Sequence, residues 1–451
     1  MRLEKKRVLV FGSGISGIGA CRLLEYNGAE VILYDGNAAL DKEELRTRIG
    51  ENTKAEILLG DLSDEVLNRL DLCVISPGVP TDLPIVKRIE EKVPVWSEIE
   101  LAYETGKGDV LAITGTNGKT TTTALLGEIM KAWRGENVFV VGNIGIPYTS
   151  IASKTNENSV IVAEISSFQL ETVHTFKPVV SAILNITPDH LDRHHTMEAY
   201  IEAKESIARN QGKDETCVLN YEDEVLRKFG ENSKASVLYF SSKRTLNTGV
   251  YLNGDAIVYA KNGKCTEVCH TEELQILGVH NYENVMAAIA MASAYGTPMD
   301  VIREAVRQFG GVEHRIEYVC EKNGVVYYND SKGTNPDAAI KAIGAMRRPT
   351  YLIGGGYDKN ASYEEWIRSF EGKVKKLVLI GQTREKIAET AKACGFEDCV
   401  FAESLEEAVA FCADAAKEGE AVLLSPACAS WGMFRNYEER GDKFKELVKS
   451  L

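Results

Sequence analysis

Ten short apolar bursts, most of them rich in β-branched residues, alternate with stretches of helical length along almost the whole chain. They fall at residues 8–11, 31–34, 72–75, 110–113, 138–141, 160–163, 179–184, 351–353, 377–380 and 421–424. A strand that is apolar on both faces must be covered on both, and a helix after each strand does this in a parallel sheet. The pattern predicts an α/β protein with mostly parallel sheets. Residues 248–269 differ. They alternate with period two and carry Asn253-Gly254 and Asn262-Gly263, the turn pairs of hairpins, so a small antiparallel insert is expected there. A chain of 451 residues has room for about three domains. Cuts near 98, after Val93-Pro94-Val95-Trp96, and near 311, at Gly310-Gly311, give 1–98, 99–311 and 312–451.

Charge narrows the partners. The 52 basic and 66 acidic residues give a net charge of -14, and no basic stripe breaks the acidic background, which excludes a nucleic-acid binder. An anionic ligand must then be held by backbone amides and a few placed cations. No apolar run approaches the roughly 18 residues of a membrane helix. The ten cysteines include no CxxC pair, so a zinc knuckle is not expected and a reduced cytosol is the simplest setting. Lys5-Lys6-Arg7, the apolar run 8–20 and Cys21 imitate a lipoprotein leader, but Gly12, Gly14, Gly17 and Gly19 suit a turn better.

Two glycine-rich turns follow strands. Gly12-Ser13-Gly14-Ile15-Ser16-Gly17 opens a helix, and Asp35 ends the next strand. This is a dinucleotide fingerprint, in which glycines let the backbone approach a pyrophosphate at a helix N-terminus. By itself it leaves open NAD(P), another diphosphate, or tight strand–helix packing. The second turn is Gly115-Thr116-Asn117-Gly118-Lys119-Thr120-Thr121 after Ile113-Thr114. Backbone amides there can cradle phosphates, Lys119 can neutralise the β and γ groups, and the Thr120 hydroxyl can reach Mg²⁺. The usual loop has Gly six residues before the Lys, where this chain has Ile113. The bland alternative is a threonine-rich helix start. A hydride-transfer enzyme has no use for a second phosphate loop, so this motif weakens the NAD reading.

Further polar groups sit just past strands, where open α/β sheets place their ligands. Glu164 follows 160–163, and Asp189-His190-Leu191-Asp192 follows 179–184. Carboxylate and imidazole suit Mg²⁺ beside a nucleotide, although His190 alone reads equally well as a hydrogen-bonded loop histidine. His194-His195 lacks a third ligand at zinc spacing. Asn329-Asp330-Ser331-Lys332-Gly333-Thr334-Asn335-Pro336-Asp337, Gly354-Gly355-Gly356-Tyr357-Asp358-Lys359 and Ser425-Pro426-Ala427-Cys428-Ala429-Ser430 complete the set. Cys428 has no partnered His and reads as a packed thiol.

Together these pieces resemble the Mur ligases, the ATP-dependent amide-forming enzymes of peptidoglycan synthesis. The likeness covers essentially the whole chain, and the absent early glycine of Gly115–Thr121 is that family's own pattern. Within the family, Ser97-Glu98-Ile99-Glu100-Leu101, residues 330–336, residues 425–430 and Asn436-Tyr437-Glu438-Glu439-Arg440-Gly441 are like the branch that adds D-glutamate. Gly432 departs from it, standing where Asp is expected. The alternatives are a sibling amide ligase, including folylpolyglutamate synthetase, whose lack of the Gly12–Gly17 domain counts against it, an NAD(P)-dependent oxidoreductase, and a nucleotide sensor without turnover.

The resemblance implies a Rossmann-like N-terminal domain for the UDP-sugar, a central P-loop ATPase-like domain, and a C-terminal Rossmann-like domain contributing to ATP and D-glutamate binding. It implies a cytoplasmic, monomeric enzyme using ATP, UDP-N-acetylmuramoyl-L-alanine and D-glutamate, with no nucleic-acid or membrane partner. Ser13, Gly14, Ile15, Ser16, Asp35, Ser76 and Asn143 are then assigned to the UDP-sugar. Gly115, Thr116, Asn117, Gly118, Lys119, Thr120, Thr121, Asn281, Asn284, Arg315 and Asp330 are assigned to ATP, with Asn281 and Asn284 at the adenine. Thr120 and Glu164 would hold one Mg²⁺ and His190 a second, with a carbamylated Lys204 sharing in metal binding. Lys119, Glu164, His190 and Lys204 form the catalytic set. Lys332, Thr334, Lys359, Ser430 and Tyr437 would surround D-glutamate, whose two carboxylates require cations and hydroxyls.

Overall fold

The computed structural model describes residues 3–143, 145–359 and 361–451. The chain forms three sheets in two compact units. The first unit comprises residues 1–269 and 283–305, the second residues 270–282 and 306–451.

The first sheet holds β1 (Arg7–Phe11), β2 (Glu30–Asp35), β3 (Glu56–Leu59), β4 (Leu72–Ile75) and β5 (Val95–Ser97) in the order β3-β2-β1-β4-β5. All four pairings are parallel. The order reverses at β1, and such switch points are where doubly wound sheets bind ligands. The glycine turn leads from β1 into the helix Ile15–Tyr26.

The second sheet holds β6 (Asp109–Thr114), β7 (Val138–Gly142), β8 (Val160–Glu164), β9 (Val180–Ile183), β10 (Thr216–Asn220), β11 (Ser236–Ser241), β12 (Gly249–Asn253), β13 (Ala256–Lys261) and β14 (Lys264–His270). Their order is β14-β13-β12-β11-β10-β9-β6-β8-β7. The expected antiparallel segment is present but is not a separate insert. β12 pairs parallel with β11, and β13 pairs antiparallel with β12, so the hairpin extends the edge of the central sheet. β10 and β11 lie in a region where the sequence pattern predicts no strand. They form because Cys217, Val218, Leu219 and Phe240 find cover between neighbouring layers.

These two sheets share a hydrophobic core that runs from Val8 and Leu33 to Ala163 and Leu219. A buried carboxylate ties them. Glu100, on the helix Glu98–Thr105, accepts from the backbone N–H of His174, Thr175 and Phe176 and from the Thr175 hydroxyl. Four donors keep a fully buried charge tolerable, where an unpartnered one would cost several kcal/mol.

In the second unit lie β15 (Glu317–Lys322), β16 (Val325–Asn329), β17 (Thr350–Gly355), β18 (Val374–Ile380), β19 (Cys399–Phe401) and β20 (Ala421–Leu424), ordered β15-β16-β20-β17-β18-β19. Only β15 runs antiparallel, on the edge. The helix predicted from residue 281 begins two residues earlier, Val279–Ala294, and passes from one unit into the other. Among the described residues no helix is long and apolar enough to cross a membrane.

Candidate functional site

At the β1 turn, Gly12 has φ +105 and a Cβ on Gly17 would lie 1.8 Å from the Gly12 carbonyl oxygen, so both positions require glycine. Gly14 caps the helix Ile15–Tyr26 without a side chain, which leaves first-turn amides to face a ligand. Ile15 and Gly14 are exposed, Ser16 is half-buried. The Ser13 amide and hydroxyl both donate to Asp35 Oδ2, at 3.0 and 2.6 Å, and the Ser76 hydroxyl donates to the Gly12 carbonyl at 3.3 Å. The ends of β1, β2 and β4 thus form one cluster. Burial raises the Asp35 carboxyl, but the Ser13 hydroxyl and the Asn37 and Ser13 amides outweigh it and hold it below the usual range.

Three parallel neighbours, β9, β6 and β8, carry the phosphate-loop cluster at their C-terminal ends. Register places Ile113 beside Glu164 on one side and Ala182 on the other. The loop is held from below. Thr116 N–H donates to Asn185 O, its hydroxyl donates to Thr187 O, and Asn117 N–H donates to Asn185 Oδ1. Gly118 has φ +86 and lies so close to Asn284 that a Cβ would meet Oδ1 at 2.1 Å. Gly115 carries φ +152. Lys119 starts the helix Lys119–Arg134, and its Nζ folds back on the carbonyls of Gly115 and Thr116 at 2.8 and 3.0 Å. Thr120 is half-buried and Thr121 buried in the same first turn.

Lys204 is not the solvated lysine that its Glu-rich helix suggests. It lies 2% exposed, donates from Nζ to Gly115 O at 2.8 Å, and sits 4.6 Å from the Tyr200 ring centre. Burial, reinforced by the charge of Lys119, pushes its pKa down to about 7. Glu164 ends β8. Its Oε1 accepts from the Asn143 side-chain amide at 2.8 Å, whereas its Oε2 is buried with no hydrogen-bond partner. A buried carboxylate oxygen left without a donor fits a cation ligand. His190 is half exposed, with φ +52, at the start of the short helix Leu191–His194, against Phe168 with ring centres 5.0 Å apart. His194 is buried on the Ser167 hydroxyl, and His195 pairs with Asp82 at 2.9 Å, so the two point apart. Among the described residues no group of three His, Cys, Asp or Glu could hold a metal. Thr120 and Glu164 with phosphate oxygens suit Mg²⁺ instead.

The second unit gathers the remaining residues. Asp330 follows β16, buried, accepting from Ile316 N–H and from the Ser425 hydroxyl at 3.2 and 2.7 Å. Burial raises its pKa to about 7. Arg315 lies between His314 and Ile316, both with positive φ. Lys332 Nζ is 5.5 Å from the Tyr437 ring centre, and Lys359 Nζ is 4.7 Å from that of Trp431. Ser430 is buried and Thr334 half-buried. Asn281 belongs to this unit and donates to Leu277 O, while Asn284, three residues on, belongs to the first. Cys428 is packed between the hydroxyls of Tyr363 and Thr383, and burial raises its thiol.

Two arginines are largely covered where the sequence assigns them no role of their own, Arg440 being named only within the signature at residues 436–441 and Arg193 not at all. Arg440, 1% exposed, donates to Ser331 Oγ, Ser331 O and Cys428 O and so joins the loops bearing Lys332 and Ser430. Arg193 makes a comparable junction in the first unit. A single Arg in a charged string carries no signal of burial, so the burial of neither was legible, although the signature singled out the stretch that holds Arg440.

Three family models match the chain in order. They are the Mur ligase MurD-like N-terminal domain over residues 6–96, the Mur ligase middle domain over 113–292, and the Mur ligase glutamate ligase domain over 314–428. The UDP-N-acetylmuramoylalanine--D-glutamate ligase of Lachnoclostridium phytofermentans is 59% identical over 100% of this chain and 99% of its own. That of Lachnospira eligens is 58% identical over 100% of both. Among solved structures, MurF from Acinetobacter baumannii matches with TM-score 0.60 at 16% identity, over 99% of this chain and 94% of that one. UDP-N-acetylmuramate-alanine ligase MurC from Thermotoga maritima matches with TM-score 0.59 at 20% identity, over 99% of both. At such identities the structural likeness speaks for the fold alone.

Proposed function

This chain belongs to the Mur ligase family, and we infer from that membership that it joins D-glutamate to UDP-N-acetylmuramoyl-L-alanine at the expense of ATP, in peptidoglycan precursor synthesis. The observation that carries the chemistry is the convergence of Lys119 and Lys204 on the phosphate loop beside a buried Glu164. A carboxylate oxygen of the UDP-sugar attacks the γ-phosphorus of ATP, ADP leaves, and an acyl phosphate forms. The D-glutamate amine then attacks the acyl carbon, gives a tetrahedral intermediate, and expels phosphate as the amine loses its proton. Both partners of the first step are anions. Lys119 offsets their repulsion, and the amides of Gly115–Thr121 orient the phosphates. Mg²⁺, when bound, adds charge neutralisation at the γ-phosphate. We assign Thr120 and Glu164 to one such ion and His190 to a second.

The UDP end of the substrate is assigned to Ser13–Ser16, Asp35 and Ser76, with Asn143 toward the sugar. Asn281, Asn284, Arg315 and Asp330 are assigned to ATP, and Lys332, Thr334, Lys359, Ser430 and Tyr437 to D-glutamate. The buried Lys204, held near neutrality, is chemically ready to take up CO₂, because carbamate formation needs the free amine. Domains 1–98, 99–311 and 312–451 divide these tasks. We place the enzyme in the cytoplasm as a monomer, which sedimentation at assay concentration checks. The decisive experiment measures ADP release with UDP-N-acetylmuramoyl-L-alanine against D-glutamate, L-glutamate, D-alanine and L-lysine. D-Glutamate alone should sustain turnover, and equal turnover of L-lysine would overturn the assignment.

A further inference from the structure

Arg193 lies in the string Asp189–His195 but is turned toward the first sheet. Its side chain is 13% exposed. Nη1 donates to the Pro77 carbonyl and Nη2 to the Val79 carbonyl, both at 3.0 Å, and Nη2 also reaches Glu171 Oε2 at 3.1 Å. The guanidinium lies 4.4 Å from the centre of the Phe168 ring. Phe168 in turn packs on His190 at 5.0 Å and His194 at 5.3 Å.

The segment it grips is the one that closes over the glycine turn. Ser76 N–H donates to Phe11 O and its hydroxyl to Gly12 O, and Val79 N–H donates to Ser76 O. Two neighbours reinforce the junction, Thr81 Oγ1 on Glu171 Oε2 at 3.1 Å and His195 on Asp82 at 2.9 Å. A cavity of about 310 Å³ beside them is lined by Thr81, Asp82, Glu171, Arg193, His194 and His195, among others. The junction therefore lies at the rim of an open groove, with Arg193 and Glu171 largely covered.

A guanidinium is suited to this task. Its rigid planar fork reaches two carbonyls at once while its flat face stacks on an aromatic ring, whereas a lysine, a point charge on a flexible stem, has neither the fork nor the face to do both together. Backbone carbonyls carry no net charge, so the contact depends on the geometry of residues 77–79, which is what a ligand seated on the glycine turn would set.

We propose that Arg193 is a positioning residue that couples the UDP-sugar loop 76–82 to the His190 loop through Phe168, so that each of the UDP-sugar and Mg·ATP binds more tightly when the other is present. The inference rests on the ligand assignments made above for those two loops. Coupling of this kind is reciprocal, and its usual size is about 5- to 150-fold in affinity.

Titration calorimetry on the full chain tests it, with UDP-N-acetylmuramoyl-L-alanine as ligand and with or without a non-hydrolysable ATP analogue and Mg²⁺. The wild type should bind the UDP-sugar at least about fivefold more tightly with the analogue present. Arg193→Ala and Arg193→Lys should bring that ratio near one. Phe168→Leu keeps the arginine's hydrogen bonds and cuts its link to His190. It should lower the ratio likewise while leaving UDP-sugar affinity without nucleotide within about twofold of wild type. An unchanged ratio in Arg193→Ala or Phe168→Leu, or a wild-type ratio of one, overturns the proposal. Failure of the wild type to bind the UDP-sugar at all would instead overturn the functional reading beneath it.

Discussion

Lys119 and Lys204 aim their ammonium groups at one acceptor, the Gly115 carbonyl oxygen, each at 2.8 Å. Two like charges so close repel, and only one of them is near water. The buried one gives way, and burial together with the charge of Lys119 pushes Lys204 to about 7. Either an incoming phosphate or the conversion of one amine into an anion relieves the strain. Both fit a loop that receives ATP.

Lys119→Ala removes the cation assigned above to the β and γ phosphates. ADP release should fall by at least about a hundredfold, with the melting temperature within a few degrees of wild type, since the Nζ bonds to the carbonyls of its own loop, Gly115 and Thr116, tie no distant element to the core. A coupled-enzyme assay and a thermal melt check both halves. Near-normal turnover would remove the phosphate-loop reading.

Lys204→Ala should lose at least about tenfold in activity, and millimolar short carboxylic acids in the buffer should restore part of it. The acid would stand in for the anion of the proposed Lys204 carbamate. Full activity without additive would show that the lysine has no part in the reaction.

Glu98 gives a pH test of stability. It is 1% exposed, accepts from Gln169 Nε2 on one oxygen and has no partner on the other, and burial raises its pKa from 4.5 to about 7. Its folded pKa lies above the unfolded one, so the folded state holds the proton more tightly and stability falls as pH climbs from about 4.5 to 7. Glu98→Gln keeps the acceptor and removes the titration. The melting temperature of the variant relative to wild type should therefore rise between pH 5 and pH 8. A pH-independent difference would mean that Glu98 stays ionised in the folded protein.

Gly17→Ala drives a methyl into the Gly12 carbonyl, at 1.8 Å from Cβ to oxygen. The turn must open, and UDP-sugar binding should weaken by at least about tenfold, while binding of an ATP analogue, measured alone, stays near wild type. Calorimetry with each ligand separates the two. Unchanged UDP-sugar affinity would place the diphosphate elsewhere.

Much of this molecule was legible in order along the chain. Apolar bursts dictated parallel strands because a strand buried on both faces has no polar residue to spare. The glycine turns at 12–17 and 115–118 were visible because positive φ and close backbone approach admit no other residue. Sequence also carried the family signatures around Asp330, Lys332 and Ser430. It did not carry burial of isolated charges. Lys204, Glu98, Arg193 and Arg440 each stand among charged neighbours in sequence. Their environments come from segments far along the chain, with Gly115 89 residues from Lys204 and Pro77 116 residues from Arg193. The strands β10 and β11, interior to the central sheet, were hidden for a related reason, since their cover is supplied by layers that only the folded sheet brings together. Desolvation is a property of the whole packed fold, and so it was the tertiary structure that decided which of many lysines had its pKa pulled down and which of many arginines became a junction.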